Sequence, residues 1–550
     1  MNQIPNDPKN NSILQNQPQN RPQDPTGEAR SFPFLYGAPY TQPPVEQPKF
    51  AGIDALFAWL SILVGFLFVR AMPVTATPLG GMLFLWLLFA FGAVFLRVSK
   101  MKLTSFAVPF FAVAAVFSLG MLTNGNRTLR GFLFLFLTLG FIWWCYISAG
   151  LSGKRLFSEN PIAHLYQSIL VLPITSIWHI FPAFAASGKG KKSENSRKLL
   201  RTLGWIALGL AVAVIPTAVV VLLLSYDDQF MDLLSKIFSF SLDGFWELIG
   251  DLILGFLCAI IIFAILSGVK QTHQKSNGEA QKPATPNVHV LPSALLYTAV
   301  TPILAVYVIF FISQWDYYIS AFTHTLPGDL TYAAYAREGF FQLCGVSALN
   351  AVMLLLFNLL MRRKEGQNRS PLKTLYSVII SAFTLILIAT ALSKMVLYID
   401  SYGLTQKRVY ASWFMLLLAV IFVLVLVGSI TKKQKLFPAV ALTCVLFFAL
   451  IALPNLDSMI ASYNVDAYLS GNLDEVDIAA LEDLGSSAVP ALVELKEQLA
   501  SRSSTAAPAE EALVGQIDRA LKNISLELNK DSDSFFNFNI PDYRARTLLE

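Results

Sequence analysis

From residue 51 the chain alternates long apolar runs with short polar loops, and the alternation continues for about 400 residues. Eleven runs stand out: 51–69, 79–96, 103–122, 130–150, 203–225, 248–268, 291–314, 339–361, 373–394, 409–429 and 437–453. A hydrocarbon core takes roughly 20 residues of α-helix, with a range of about 17–25. In lipid an unpaired backbone N–H or C=O is costly, so runs of this length predict helices that bond internally. Pro216 and Pro302 lie inside two of them, where neighbouring helices tolerate a kink.

The pattern changes at both ends. Residues 1–48 are rich in Asn, Gln and Pro and contain no apolar h-region. They predict a disordered cytoplasmic tail and no secretory signal peptide. Residues 456–550 return to a mixed polar pattern, with helix-like stretches near 474–500 and 506–528. Gly485 breaks the first stretch into two helices; Ser487 suits the cap of the second of these, and Pro490 suits its first turn. The expected fold class is all-α: a polytopic transmembrane helix bundle of about 11 spans over 49–455, with a small extracytoplasmic helical domain over 456–550.

Charge gives the bundle a direction. Arg97, Lys100 and Lys102 form one basic loop; Lys154, Arg155 and the run Lys189 to Arg201 form another. Lys270, Lys275 and Lys282, then Arg362, Arg363, Lys364 and Arg369, then Lys432, Lys433 and Lys435 continue the series. The alternate loops are acidic, with Asp227, Asp228, Asp232, Asp243 and Glu247 in one and Asp316, Asp329 and Glu338 in the next. The positive-inside rule puts the basic set in the cytoplasm. The two sets alternate only if the apolar stretch 163–183 does not cross. That stretch carries His164, Gln167, Pro173, His179 and Pro182, and it reads as an interfacial or re-entrant helix. The N-terminus is then cytoplasmic, the C-terminus extracytoplasmic, and the location a cell membrane crossed many times.

Composition agrees. Hydrophobic residues make up 55% of the 550 and charged ones only 14%, against about 25% charged in a soluble domain. Mean hydropathy is +0.54. A net charge of +5 is too small to suggest nucleic-acid binding; membrane lipids are the expected surroundings. Cys145, Cys258, Cys344 and Cys444 each sit in an apolar run without metal-ligand spacing and read as packing residues. The histidines, His164, His179, His273, His289 and His324, are scattered, and most read as loop or interfacial residues, with no metal site expected.

Three motifs occur in fixed order: TYAAYAREGFFQL at 331–343, LYIDSYGLTQKRVYA at 397–411, and NLDSMIASYNVDAYLSGNLD at 455–474, with LGSSAVPALVEL after it at 484–495. A weaker one is LLLSYDDQF at 222–230, whose Tyr226 and Asp228 depart from what the family resemblance named next implies. Over roughly 195–550 the chain resembles a bacterial multi-spanning membrane family catalogued as a domain of unknown function, family 4173. That resemblance implies a fold and no established activity.

Placed on the topology, all four motifs fall at the extracytoplasmic side. Tyr335, Arg337, Glu338, Tyr398, Asp400, Tyr402, Asp227 and Asp457 are the candidate ligand-binding residues there. Tyr335 and Glu338 share a helical face. Gly403 suits a left-handed cap and Thr405 the next N-cap, which holds Tyr398, Asp400 and Tyr402 near the membrane surface. The plain alternative is an interfacial clamp in which Arg337 pairs with Asp400 or Asp457 and the tyrosines form an aromatic belt. Asn350 and Asn358 suit hydrogen bonds between helices, Asp251 suits a cap, and Lys394 suits snorkelling at a span end. No Walker loop, zinc signature or nucleophile elbow occurs, so no catalytic residue, cofactor or metal is expected. The leading expectation is a non-enzymatic bacterial cell-envelope protein that binds a partner protein, lipid or polymer at its outer face. A transporter or flippase, and an enzyme acting on a lipid-linked substrate through Glu338 or Asp400, are the alternatives.

Overall fold

The structure is a computed structural model. It describes residues 50–71, 77–152, 161–186, 220, 242–278, 291–313, 340–361, 371–431, 436–502, 508–530 and 534–550. The chain divides into two units, Met1–Lys49 and Phe50–Glu550, and every described residue belongs to the second.

Among the described residues the architecture is all-α, with an isolated parallel bridge between Leu291 and Met361 and no strand. Nine helices are long and apolar enough to cross a membrane, or ten if one bent pair counts as a span. Ten of the eleven apolar runs appear as helices, and the run 203–225 lies outside the described residues. The helices in 103–122 and 437–453, at 17 residues each, are shorter than the rest. The remaining long helix, fourth in chain order, is Ile162–Ala185: the stretch read as interfacial or re-entrant is also long and apolar enough to cross.

The spans gather around two separate apolar cores. The first holds α1 (Gly52–Ala71), α2 (Pro78–Val98), α3 (Ala107–Thr123), α4 (Arg127–Ser148) and the 37-residue α8 (Leu242–Gly278). Between α4 and α8 runs the broken segment α5 (Pro161–Tyr166), a π-turn, α6 (Leu172–Ser176), a 3₁₀ turn and α7 (Ile180–Ala185). This core is aromatic: Phe57 meets Phe95 edge-on at 5.0 Å, and Phe89 meets Trp144 at 5.3 Å. The Trp144 indole N–H donates to the Ala107 carbonyl at 2.8 Å, satisfying its polar end in an apolar site. Helices α1 and α8 touch backbone to backbone. A Cβ on Gly65 would stand 2.1 Å from the Gly255 carbonyl oxygen, so only glycine permits the approach.

The second core holds α9 (Ser293–Ser313), α10 (Phe340–Leu360), α11 (Pro371–Tyr402) and α12 (Gln406–Ile430). Helix α13 (Leu436–Ala452) ties the two. Its Phe447 carbonyl accepts from Trp413 of α12 at 2.7 Å. Its Phe448 stacks on Phe117 of α3 and meets Phe136 of α4.

A third core belongs to the C-terminal module. After α13 the chain bends by 62° into α14 (Leu456–Leu469). Then come α15 (Ile478–Glu482), a 3₁₀ turn at Gly485–Ala488, α16 (Val489–Arg502), α17 (Pro508–Lys530) and α18 (Ile540–Leu549). Gly485 takes φ +61° and breaks the helix as its sequence implies. Pro490 falls in the first turn of α16 as expected. Ile460, Val465, Leu492, Leu495, Ile517 and Ile524 fill the core of the module, and Leu404 and Val409 from the α11–α12 turn pack against it. The module therefore sits at the bundle end where α3, α11 and α13 finish.

At the opposite end Asp54 is buried and pairs with Lys270 at 2.5 Å. Its other oxygen accepts from the Ala51 N–H, closing the first turn of α1. Three histidines, His164, His179 and His273, join helices near this end. His164 meets Tyr146 at 2.9 Å, His179 meets Ser267 at 3.2 Å, and His273 meets the Ala149 carbonyl at 2.8 Å. Asp251 does not cap its helix, which begins earlier at Leu242; it pairs with Arg70 at 2.7 Å. Lys394 is buried rather than snorkelling.

Candidate functional site

The module is fastened to the bundle by neutral polar groups that satisfy helix ends. The Thr123 hydroxyl donates to the Leu453 carbonyl at 2.6 Å. The Asn124 amide donates to Ala452 at 2.7 Å, covering a carbonyl at the end of α13, and to Gly120 at 2.8 Å, which also accepts the Asn124 backbone N–H. A Cβ on Gly120 would lie 2.1 Å from the Ala452 oxygen, so α3 and α13 meet backbone to backbone here. Buried Arg130 donates to the Asn124 carbonyl at 2.8 Å and fixes the α3–α4 turn.

Asp457 is the centre of this junction. It lies in the first turn of α14, is 3% exposed, and accepts from Gln406 of α12 at 2.9 Å. The Asn126 side chain, from the α3–α4 turn, also bonds to it. Burial pushes the Asp457 carboxyl above the ordinary carboxylate value, and the two amide hydrogen bonds pull it back in part. One carboxylate thus joins the first bundle, the second bundle and the module.

The α11–α12 turn is built as its sequence implies. Gly403 takes φ +72°, and the Thr405 hydroxyl accepts from the Arg408 N–H at 3.4 Å. Asn464 of α14 straps the turn, accepting from the Leu404 N–H at 2.7 Å and donating to its carbonyl at 2.8 Å. Arg408 folds back over the Tyr398 ring at 4.0 Å and donates to the Tyr402 and Gly403 carbonyls. Tyr398 meets Tyr402 edge-on at 5.4 Å. These two tyrosines belong to the helix cap. Asp400 faces solvent, and among the described residues no hydrogen bond or ion pair joins it to Asp457. Asp227, Tyr335, Arg337 and Glu338 lie outside the described residues.

Beside Asp457 the surface opens into a cleft of about 370 Å³. Thr123, Asn455, Ser458, Ser486, Ser487 and Arg544 supply its polar lining; Met459, Pro490, Ile540 and Pro541 supply the rest. Ser486 donates to Asp542 at 2.5 Å. Ser487 does not act as a helix cap: it is 2% exposed, and its Oγ has no hydrogen-bond partner among the described residues. A second hollow of about 390 Å³ is lined by Arg127, Asn523, Leu526, Glu527 and Lys530. Its charged groups are long surface side chains of both signs.

Sequence reasoning missed this cleft because two of its walls, α14 and α18, were not expected as helices. For α18 a signal was present. Asn539 and Asp542 are spaced as a capping box, and the Asn539 side chain accepts from the Asp542 N–H at 2.8 Å. In the second bundle the sequence expectation for Asn350 holds. Its amide accepts from Tyr307 at 2.6 Å and donates to Thr384 at 2.9 Å, so it links three helices in a buried site. The side chain of Asn358 lies outside the described residues. Among the described residues no group of three His, Cys, Asp or Glu could hold a metal ion.

No curated protein and no solved structure matches the chain. A family model described as a domain of unknown function, DUF4153, matches residues 80–495. The match begins in α2, well before the region that carries the motifs, and stops within α16, before the helix that carries Arg544. It agrees with the motif resemblance at the level of a domain of unknown function, and the family number is 4153 where the motifs suggest 4173. With most of its length inside that match, the chain belongs to the DUF4153 family of unknown function.

Proposed function

We propose that the chain is a non-enzymatic, multi-pass protein of the bacterial cell envelope, with its N-terminus in the cytoplasm and its C-terminal module outside. The module holds a membrane or envelope component in the cleft beside Asp457. The observation that carries this reading is the cleft itself: hydroxyl, amide and guanidinium groups converge where the module meets the ends of α3 and α13. The basic residues Arg97, Lys100 and Lys102 mark the far end of α2, and Lys270 and Lys275 the far end of α8, both opposite the module. By the positive-inside rule that end is cytoplasmic.

Residues 161–186 also fit this orientation. Their partners are Tyr146, Ser267, Gly268, Gln271 and Trp59, all toward the end opposite the module. Tyr166, Leu170, Ile174 and Trp178 form an exposed stripe at i, i+4, i+8 and i+12. A helix lying in the inner interface explains both facts.

Two measurements test the reading. In a chain whose four native cysteines are replaced, Glu497→Cys should react with an impermeant maleimide in intact cells, and Lys102→Cys only after permeabilisation. The reverse labelling would place the module in the cytoplasm and end the proposal. A photo-crosslinking residue at Met459 should then capture a lipid or polymer adduct in cells. Recovery of the unmodified chain alone would remove the binding half.

A further inference from the structure

Three helices begin at the cleft. Asn455 and Ser458 stand at the start of α14, Ser486 to Pro490 lead into α16, and Ile540 and Pro541 open α18. These helices run for 14, 14 and 10 residues. Each N-terminus carries the equivalent of about half a positive charge, while the first-turn N–H groups of Ser458, Val489 and Asp542 are already bonded to Asn455, Ser486 and Asn539. Arg544 adds a full charge and has no ion-pair partner among the described residues. Opposing them is Asp542, whose carboxylate is engaged by Ser486 and Asn539. Asp457 lies nearby, is buried, and does not line the cleft.

The independent observation is Ser487. It is buried in the cleft wall against Gly125, with its Oγ unbonded among the described residues. Leaving a buried hydroxyl unsatisfied is costly, and of the unbonded buried side-chain atoms among the described residues Ser487 Oγ is the one whose residue lines the cleft.

The cleft also opens toward lipid. Thr123 shares a helical face with Val116 and Leu119 of α3, at i, i+3 and i+7, and both of those apolar residues are exposed. Leu442, Leu446 and Leu450 form an exposed stripe on α13 that ends just before Asn455. Two apolar tracks suited to acyl chains therefore end at one polar, positively polarised pocket.

We propose that the cleft binds a phosphate group, presented by an anionic lipid headgroup of the adjoining leaflet. The inference deepens the reading given under Proposed function and rests on the same cleft. Arg544 and the three helix starts supply the charge, and the hydroxyls of Ser458 and Ser487 supply hydrogen bonds.

The full-length protein in phosphatidylcholine nanodiscs tests it. Doping with phosphatidylglycerol should raise thermal stability and leave that lipid bound in native mass spectra. Arg544→Gln should weaken the retention about tenfold or more, the usual worth of a charge-assisted contact. Ser487→Ala should weaken it several-fold while leaving the unliganded protein as stable or more so, which separates the site from the fold. Lys522→Gln, which removes an exposed charge elsewhere in the module, should change little. Stabilisation by inorganic phosphate alone, with the same dependence on Arg544 and Ser487, would support the phosphate site and assign it to a soluble ligand. Equal loss with Lys522→Gln, or no response to either ligand, would overturn the proposal. Nanodiscs expose both faces, so this result is independent of the cysteine labelling that reads which side the module occupies.

Discussion

The two helix bundles meet the same solvent and hold together by different means. In the first, α1 and α8 approach until the Gly65 and Gly255 backbones touch, and buried Asp54 pairs with Lys270 at one end. In the second, Gly345 has open space around it, and the central tie is an uncharged ladder from Tyr307 through Asn350 to Thr384. Lipid offers little hydrophobic drive for helix association, so backbone approach and buried polar contacts must supply it. The first bundle combines close packing with an ion pair. At the centre of the second the described contacts are hydrogen bonds of smaller individual worth, with Lys394 buried further along α11.

A matched pair of glycine substitutions should break this contrast most forcefully. Gly65→Ala puts a Cβ within 2.1 Å of a backbone oxygen that cannot swing aside. Helices α1 and α8 must separate, and the variant should lose its monodisperse peak in detergent chromatography. Gly345→Ala meets nothing within 4 Å and should be neutral or stabilising by up to about 1 kcal/mol. Equal tolerance of both would mean that the glycine contact is not what closes the first bundle.

Next in size is Asp54→Asn. Breaking a buried pair leaves Lys270 charged without its partner and typically costs about 3–5 kcal/mol. Replacing both residues, as Asp54→Leu with Lys270→Met, should recover part of that loss, because the remaining charge is gone. Asp54 also accepts from the Ala51 N–H, so recovery should stay incomplete. Thermal unfolding of the two variants in one detergent makes the comparison. If the double variant fell below Asp54→Asn, desolvation would not be the dominant cost.

The sequence made the spans legible because the bilayer demands long apolar helices, and this demand does not depend on where each helix packs. It also located the Gly403 and Gly485 breaks and the Asn350 contact, whose causes are local or chemically narrow. The Asp54–Lys270 pair was invisible. Its members are 216 residues apart, and each looks like an ordinary charge near a span end. The site was read only in part for a related reason. Asp457 and Asn464 look like surface residues of a polar helix, yet both are buried, and their partners come from turns far away in sequence. Tyr398 and Tyr402 were singled out as aromatic and polar; the structure uses them in a helix cap.

A smaller effect should come from Asn350→Leu in the second bundle. The substitution removes both amide bonds and leaves the Tyr307 hydroxyl without its acceptor, whereas Thr384 keeps its bond to the Ile380 carbonyl at 2.7 Å. Hydrogen bonds between membrane helices average about 0.6 kcal/mol and reach about 1.7. The midpoint of thermal unfolding should fall modestly, well short of the loss from Asp54→Asn. A loss as large as that one would make the ladder the equal of the ion pair and erase the difference between the bundles.

The smallest effect concerns the residue that joins the bundles, and it should appear as a pH dependence. Burial raises the Asp457 carboxyl above its unfolded-state value, against the pull of Gln406 and Asn126. The folded state then binds the proton more tightly than the unfolded state. The stabilisation from this group is fully present below the ordinary value of 3.8 and is lost as pH rises through the raised folded value. Asp457→Asn cannot ionise. Its stability relative to the native chain should therefore improve as pH rises across that window, and the difference should be level at more acidic pH. The opposite trend, with the native chain gaining on the variant as pH rises, would show that the two amides outweigh burial. Asp457 would then fasten the bundles as a charged group, and the use of buried charge would extend from the first bundle to the junction of both.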